Sequence, residues 1–249
     1  MPAAAPPVLA QSTPAAAPEA EKKPSNWKRT GELAGSLFLG NKPQTVLTTR
    51  LRASHADSTF EFGSDLRFTY GSASDEGERY VSQRSWFGSI NADLWPHASQ
   101  SPFLLATLES SLERRIDLRA SGGAGHKLTF VDDGTSLANL SVALLAERSW
   151  LPTKENGREI TSLARFSGRV RLRRRVGGRA VFNAETFFRP EAYHMTRFTL
   201  TNSASASFRM NELINLKASY LDNYDSRARD RGARSNYDGQ VVLGIEADF

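Results

Sequence analysis

The amino-acid sequence predicts an antiparallel transmembrane β-barrel of about 12 strands with a disordered Pro/Ala-rich N-terminal segment. Apolar and polar residues alternate with a period of two over long stretches of the chain. Clusters of turn-forming residues interrupt these stretches at regular intervals. The chain also ends on an alternating strand whose last residue is Phe249. Together these features favour a closed sheet that crosses a lipid bilayer.

The composition excludes several classes of protein. The chain has 249 residues and no cysteine, which excludes a disulfide framework and a thiolate metal site. No apolar run approaches the roughly 18 to 20 residues that a membrane helix needs. The 32 basic and 27 acidic residues are well mixed, whereas a nucleic-acid-binding protein needs a separate basic face. We therefore expect no nucleic-acid partner.

Residues 1–26 are rich in proline and alanine and cannot build a core. The stretch PPVLAQ is compatible with the tail of a cleaved signal, and it is equally compatible with a plain disordered tail. Either alternative makes 1–26 a mobile segment on the periplasmic side. The domain prediction is therefore a disordered segment over 1–26 and a β-barrel over 27–249.

The strand count follows from the turn clusters. Each cluster combines Gly, Pro, Asn, Asp or Ser, which favour turns. A further turn is needed near 115–118, because 103–130 is too long for one strand. The clusters lie at 40–44, 55–58, 72–78, 95–102, 131–136, 152–159, 176–178, 189–192, 210–213 and 226–236.

Each stretch between these turns separates an apolar face from a polar one. In 160–175, Ala164, Phe166, Val170 and Leu172 alternate with arginines. A soluble β-sandwich also alternates, but its strands are usually about five or six residues long. Many stretches here reach twelve residues or more, which exceeds the roughly 9 to 11 that a tilted membrane strand requires. The lengths favour a barrel over a sandwich.

The C-terminal strand carries an assembly signal. Leu243, Ile245, Ala247 and Phe249 share one face of the strand. This ending resembles the signal that the barrel-assembly machinery reads, although an aromatic residue is common where Ala247 stands. The strand predicts a bacterial outer-membrane location, with the lipid bilayer, lipopolysaccharide and the barrel-assembly machinery as partners. An even strand count puts both chain ends on the periplasmic side and the charged segment 226–236 outside.

A family resemblance supports this prediction. The first hairpin, with Trp27, Gly35 and the Gly40–Asn41 pair, resembles that of the salt-induced outer-membrane protein family of YdiY-like proteins, a domain of unknown function. The central stretch is similar as well, and its matching residues are Asp117, Arg119, Gly123 and Gly125. The resemblance implies an outer-membrane barrel and no known chemistry. The Arg-rich stretch 165–176 is not a recognised feature of that family.

No catalytic or metal-binding constellation stands out, so we expect neither an enzyme nor a cofactor. The four histidines are His55, His97, His126 and His194. His97 precedes Ser99 by two residues but falls in a predicted turn on the inner side. No histidine pair has the spacing of metal ligands, and no serine lies in a nucleophile elbow.

The predicted lumen carries charges of both signs. One hypothesis is that these charges pair and fill a narrow lumen, which leaves the barrel a structural role in the envelope. An alternative is a small channel for anions or polar solutes, because rings of arginine select anions. A third hypothesis is a surface interaction protein that uses the charged segment 226–236. The predicted lumen cluster consists of Arg165, Arg169, Arg171, Arg173, Glu109, Glu113, Glu147 and Glu185.

Overall fold

The part of the chain that the structure describes forms a closed antiparallel barrel of 12 strands, which confirms the predicted fold class. The computed structural model describes residues 27–38, 44–75, 78–153 and 157–248. The predicted segment 1–26, Gly40, Asn41 and Phe249 lie outside these ranges. The strands are β1 (Trp27–Phe38), β2 (Gln44–Ala56), β3 (Phe60–Asp75), β4 (Glu78–Leu94), β5 (Gln100–Ser111), β6 (Ile116–Asp132), β7 (Ser136–Pro152), β8 (Arg158–Val176), β9 (Ala180–Glu191), β10 (His194–Arg209), β11 (Ile214–Asp225) and β12 (Tyr237–Asp248).

Each strand pairs with its neighbour in the chain, and β1 closes the sheet by pairing with β12. Thr30 lies opposite Asp248 and Gly35 opposite Leu243 at this seam. Closure removes the unpaired edges that a hydrocarbon environment does not tolerate. Among the described residues, no helix is long and apolar enough to span a membrane.

The two ends of the barrel differ in their connections. The terminal end, as we call it, carries Trp27 and Asp248 and the short turns 57–59, 95–99, 133–135, 177–179 and 210–213. The loop end carries the other connections, including 112–115 and the long segment 226–236, which contains a short 3₁₀ helix (Arg229–Arg231). The long segment at one end and short turns at the other match the asymmetry of outer-membrane barrels.

Local side-chain chemistry fixes the terminal-end turns. The Asp133 carboxylate accepts hydrogen bonds from the Thr135 hydroxyl at 2.7 Å and from the Ser136 N–H at 2.6 Å. These bonds hold the pKa of Asp133 below its usual value. Asp57 makes the same kind of turn with the N–H groups of Thr59 and Phe60.

Some predicted turns are shorter in the structure. The predicted turn 72–78 is largely strand, because β3 extends to Asp75 and β4 begins at Glu78. A β-bulge between Gly71 and Ser72 shifts the register, so that Ser72 pairs with Val81. The bulge lets both strands continue through residues whose composition favours a turn.

The apolar face of the strands lies outside the barrel. Leu104 is 62 % exposed, and Leu33, Val241 and Leu243 are similarly exposed. In water such a continuous apolar surface would be unfavourable, whereas hydrocarbon accepts it. The buried side chains are instead mostly polar or charged and point into the barrel. The inside of the barrel is therefore where any polar chemistry must take place.

Candidate functional site: the barrel lumen

The lumen contains a cavity of about 1110 Å³. Arg179 and Arg209 line it at the terminal end, and Glu113 and Arg114 line it beside the loop-end turn 112–115. Most of its lining is polar, because inward positions alternate with lipid-facing ones along every strand. The lumen is therefore partly open, and its charged groups fall into distinct clusters.

Toward the loop end, buried charges form one network, which we call the loop-end cluster. Glu147 on β7 accepts from Arg165 on β8 at 2.7 Å and lies 3.4 Å from Arg119 on β6. Glu109 on β5 binds Arg119 at 2.8 Å and Arg114 at 2.7 Å. Every one of these charges has an opposite partner, which offsets the cost of removing it from water.

The loop-end cluster also reaches across the lumen. Asp225 at the end of β11 lies 3.7 Å from Arg119, which belongs to the opposite wall. Arg231 from the segment 226–236 binds Asp225 at 2.6 Å and donates to the carbonyl oxygen of Arg114 at 3.2 Å. A long-range contact thus ties the segment to the turn on the far side of the barrel.

The segment 226–236 is therefore not simply a solvated loop. Ala228 is 1 % exposed and Arg231 is 9 % exposed, so this part of the segment lies within the barrel mouth. A second, small cavity lies on the loop side of the cluster, with Arg227 among its lining residues. Arg119 and Glu147 line both cavities, which places them between the two.

The loop-end cluster is balanced in charge. Arg165 lies 3.7 Å from Glu191 in addition to its bond with Glu147. We define the cluster as four arginines and four carboxylates, which are Arg114, Arg119, Arg165, Arg231, Glu109, Glu147, Glu191 and Asp225. A more exposed arginine, Arg197, also lies 3.8 Å from Glu191, so the equality of opposite charges applies to the eight members that lie deeper in the barrel.

A second network closes the seam of the barrel. Lys217 on β11 binds Glu32 on β1 at 2.6 Å and Glu246 on β12 at 2.9 Å. Arg52 on β2 binds Glu246 as well. The network joins four adjacent strands around the β1–β12 pairing, so its role is to hold the closure.

The wall formed by β8 and the turn 177–179 carries cations that lack such partners. Arg169 lies 3.7 Å from Glu185, with both side chains partly exposed. Within the described ranges, no carboxylate lies within 4.0 Å of the other four arginines of this wall, all of which line the cavity. We call the set the basic wall, and it consists of Arg169, Arg171, Arg173, Arg175 and Arg179.

Two further arginines near the middle of the lumen rest on aromatic rings. The Arg189 guanidinium lies 4.4 Å from the centre of the Phe187 ring, and Arg67 lies 5.4 Å from that of Phe87. Cation–π contact leaves the N–H edge of a guanidinium free to bind an anion. The Nε atoms of Arg189 and Arg169 are buried without a hydrogen-bond acceptor among the described residues.

The structure divides the predicted lumen charges between these regions. Arg165, Glu109 and Glu147 belong to the loop-end cluster, whereas Arg169, Arg171 and Arg173 belong to the basic wall. Glu185 approaches Arg169. Glu113 instead holds the turn 112–115, since it accepts from the Arg84 N–H and from the Ser111 hydroxyl, both at 2.7 Å.

Sequence reasoning missed Asp225 and Arg231 as lumen residues. The charged composition of 226–236 is compatible with a solvated loop, and nothing local shows that Arg231 turns inward. It also missed the lumen position of Phe103 and Leu105. These two belong to the apolar run Phe103–Ala106, in which alternation is weak.

The predicted assembly signal lies on the outer surface of β12. Leu243 and Ile245 are 63 % and 55 % exposed, and Ala247 pairs with Gly31 on β1. Recognition by the assembly machinery stays a prediction. Among the described residues, no group of three histidines or carboxylates is placed to hold a metal ion.

Comparison with solved structures places the fold among outer-membrane barrels. The COG4313 outer membrane channel from Pseudomonas putida F1 aligns with a TM-score of 0.50 at 9 % identity, over 94 % of this chain and 98 % of that one. The translocator domain of autotransporter NalP from Neisseria meningitidis aligns with a TM-score of 0.48 at 10 % identity, over 92 % and 90 %. The NanC porin gives 0.46 at 10 % identity, over 88 % and 97 %. These identities bear on the fold alone.

Comparison with curated proteins gives no match. A family model described as protein of unknown function, DUF481, matches residues 31–249. This match spans almost the whole barrel and confirms the resemblance to an uncharacterised outer-membrane family. The chain belongs to the DUF481 family of proteins of unknown function.

Proposed function

We propose that the protein is a narrow channel for small anions in the bacterial outer membrane. The basic wall carries this proposal. Arg171, Arg173, Arg175 and Arg179 face the open cavity, and no described carboxylate lies within 4.0 Å of them. Such a wall attracts anions and repels cations.

The geometry of the lumen strengthens the effect. A narrow passage bounded by a low-dielectric membrane focuses the field of its charges, which raises the local concentration of counter-ions. The basic wall extends along β8 from the terminal-end turn 177–179 toward the middle of the barrel. An anion that enters at the terminal end thus meets successive arginines.

The loop-end cluster is the constriction of the proposed channel. Its side chains are tightly buried, with Arg119 6 % and Glu147 7 % exposed. The pairs resist opening because separation of each pair leaves a buried charge. We therefore expect low conductance. A barrel with a structural role in the envelope, in which this cluster seals the lumen, is the alternative that the experiment distinguishes.

The test is current through a planar bilayer that contains the purified protein. We expect small conductance steps and, in a KCl gradient, a reversal potential of the sign set by chloride. The double variant Arg171→Glu/Arg173→Glu is expected to shift the reversal potential toward cation preference. Arg234→Glu, the control, reverses the charge of an exposed residue at the loop end. It is expected to leave the reversal potential almost unchanged.

Two results would overturn the proposal. Electrical silence across applied voltages, with the protein shown to be folded and inserted, would favour the sealed structural barrel. Steps with cation preference in the wild-type protein would refute the assignment of the basic wall. The proposal includes no catalysis and no cofactor, and lipopolysaccharide is expected to surround the outer half of the barrel.

A further inference from the structure

An apolar patch interrupts the polar lining of the lumen. Phe103 and Leu105 on β5 are half-buried and face the cavity, as do Ala143 and Leu145 on β7. We call these four residues the apolar lumen patch. Water makes no hydrogen bonds with such a surface, whereas the apolar part of a solute is removed from water when it binds there, which is favourable.

Glycines on β6, the strand between β5 and β7, leave room for the side chains of this patch. Phe103 lies opposite Gly125, which in turn lies opposite Ala143. Leu105, Gly123 and Leu145 form the next row in the same way. A Cβ atom on Gly125 would come within 2.6 Å of the Phe103 ring. The ring therefore occupies the space that a side chain at 125 would fill.

The basic wall approaches the β7 side of the patch through Arg169. Arg169 on β8 donates to the Ser141 hydroxyl on β7 at 3.2 Å. Ser141 precedes Ala143 by two residues on the same face, a separation of about 7 Å along a strand. Arg169 and Arg189 both contact the Phe187 ring, at 5.8 and 4.4 Å from its centre. The guanidinium groups of Arg169 and Arg189 thus lie together beside Phe187, and Arg169 adjoins the strand β7 that carries half of the apolar lumen patch.

Both arginines retain binding capacity. Both line the cavity, and their Nε atoms, which are buried, have no acceptor among the described residues. In the described ranges, no carboxylate lies within 4.0 Å of Arg189. Arg169 lies 3.7 Å from the Glu185 carboxylate. Asp93 on β4 lies opposite Phe103, and its carboxylate is bound by Lys127 at 2.5 Å. An incoming carboxylate can therefore pair with Arg169 and Arg189.

We infer that the lumen contains a binding site for an amphipathic monoanion, which is a carboxylate with an aromatic or short alkyl body. The carboxylate pairs with Arg169 and Arg189, and the apolar body lies on Phe103 and Leu105. The cavity is large enough for such a ligand. This inference deepens the proposed channel function, because it names the class of anion that the channel prefers.

The first test compares three ligands by titration calorimetry on the detergent-solubilised wild-type protein. Benzoate has both features, acetate lacks the apolar body and benzamide lacks the charge. We expect benzoate to bind at least about tenfold more tightly than either of the others, since hydrophobic contact in a site contributes roughly tenfold or more. A benzoate affinity equal to that of acetate would refute the role of the patch. An affinity equal to that of benzamide would refute the role of the arginines.

The second test separates the two halves of the site. Phe103→Thr/Leu105→Thr is expected to weaken benzoate about tenfold and to leave acetate unchanged, whereas Arg169→Gln weakens both anions. Leu221→Thr removes a lumen-facing apolar side chain on β11, outside the patch, and serves as the matched control. Heat-modifiable migration on a gel confirms that each variant is folded. Equal benzoate affinity in Leu221→Thr and in the double variant would overturn the inference.

Binding is measured without conductance, so the two proposals can fail separately. Benzoate binding in a protein that passes no current would support the site and refute the channel. Anion-selective current without preference for benzoate over acetate would support the channel and refute the site.

Discussion

The loop-end cluster and the basic wall are both rich in arginine, but only the cluster pairs each of its arginines with a carboxylate. In the loop-end cluster every arginine has a carboxylate partner, as Arg165 has Glu147 at 2.7 Å. In the basic wall, Arg171, Arg173, Arg175 and Arg179 have none within 4.0 Å in the described ranges. The difference teaches that pairing, more than the number of charges, decides whether a charged lumen is closed or attracts ions.

Solvent exposure is the physical reason for the difference. Arg119 and Arg165 are each 6 % exposed, and an unpaired charge so far from water would be strongly unfavourable. Arg173 and Arg175 are exposed to the cavity, so water can solvate them and mobile anions can pair with them. The protein can leave charges unpaired only where its lumen is open.

The largest expected effect follows from removal of a carboxylate from the loop-end cluster. Glu147→Ala removes the carboxylate that Arg165 and Arg119 share. Arg119 keeps Glu109 at 2.8 Å and Arg165 keeps Glu191 at 3.7 Å, so the free energy of unfolding should fall by about 3 kcal/mol, the lower end of the range for a broken buried pair. Glu185→Ala is the matched change beside the basic wall. Its carboxylate is 30 % exposed and 3.7 Å from Arg169, so the loss should be about 1 kcal/mol or less.

Urea unfolding of the protein in lipid or detergent measures both values. Equal losses for Glu147→Ala and Glu185→Ala would show that the two regions do not differ in desolvation, and the comparison would fail.

The next effect concerns β6, the strand that carries Arg119 of the loop-end cluster. A Cβ atom on Gly123 would overlap the carbonyl oxygen of Leu144 in the neighbouring strand, whereas a Cβ atom on Gly122 meets nothing closer than 3.8 Å. Gly123→Ala should therefore destabilise the barrel by about 1 to 3 kcal/mol, and Gly122→Ala should have little effect. Unfolding temperature by circular dichroism checks this pair. A larger loss in Gly122→Ala would contradict the close β6–β7 approach.

A smaller effect is expected when the contact across the lumen is removed. Arg231→Ala breaks the bonds to Asp225 and to the Arg114 carbonyl oxygen, which frees the segment 226–236 from the mouth. Single-channel conductance should rise about twofold with little change in ion preference, because the basic wall is intact. Arg234→Ala alters an exposed residue of the same segment and should leave conductance unchanged. A fall in conductance in Arg231→Ala would contradict the role of the cluster as the constriction.

Much of the fold could be predicted from the sequence because the period of two fixes the face of each residue. The inward alternation of Arg165, Arg169, Arg171 and Arg173 follows from the strand geometry alone. The pairing of β1 with β12 could be expected as well, since a membrane barrel must close.

The contacts between these regions could not be predicted in the same way. The approach of Asp225 to Arg119 joins opposite walls, so it depends on the curvature and stagger of the closed sheet. The lumen position of Phe103 depends on the glycine opposite it, which only the register between β5 and β6 reveals. Local alternation does not contain either kind of information.

The reactivity of a single cysteine beside the basic wall shows most directly whether the lumen favours anions. The chain has no native cysteine, so Asn183→Cys introduces one thiol into the cavity lining, opposite Arg173 in the β8–β9 pairing. We expect a negatively charged methanethiosulfonate reagent to modify this thiol faster than a positively charged one, relative to their rates with a free thiol. Faster reaction with the positively charged reagent would contradict a lumen that favours anions.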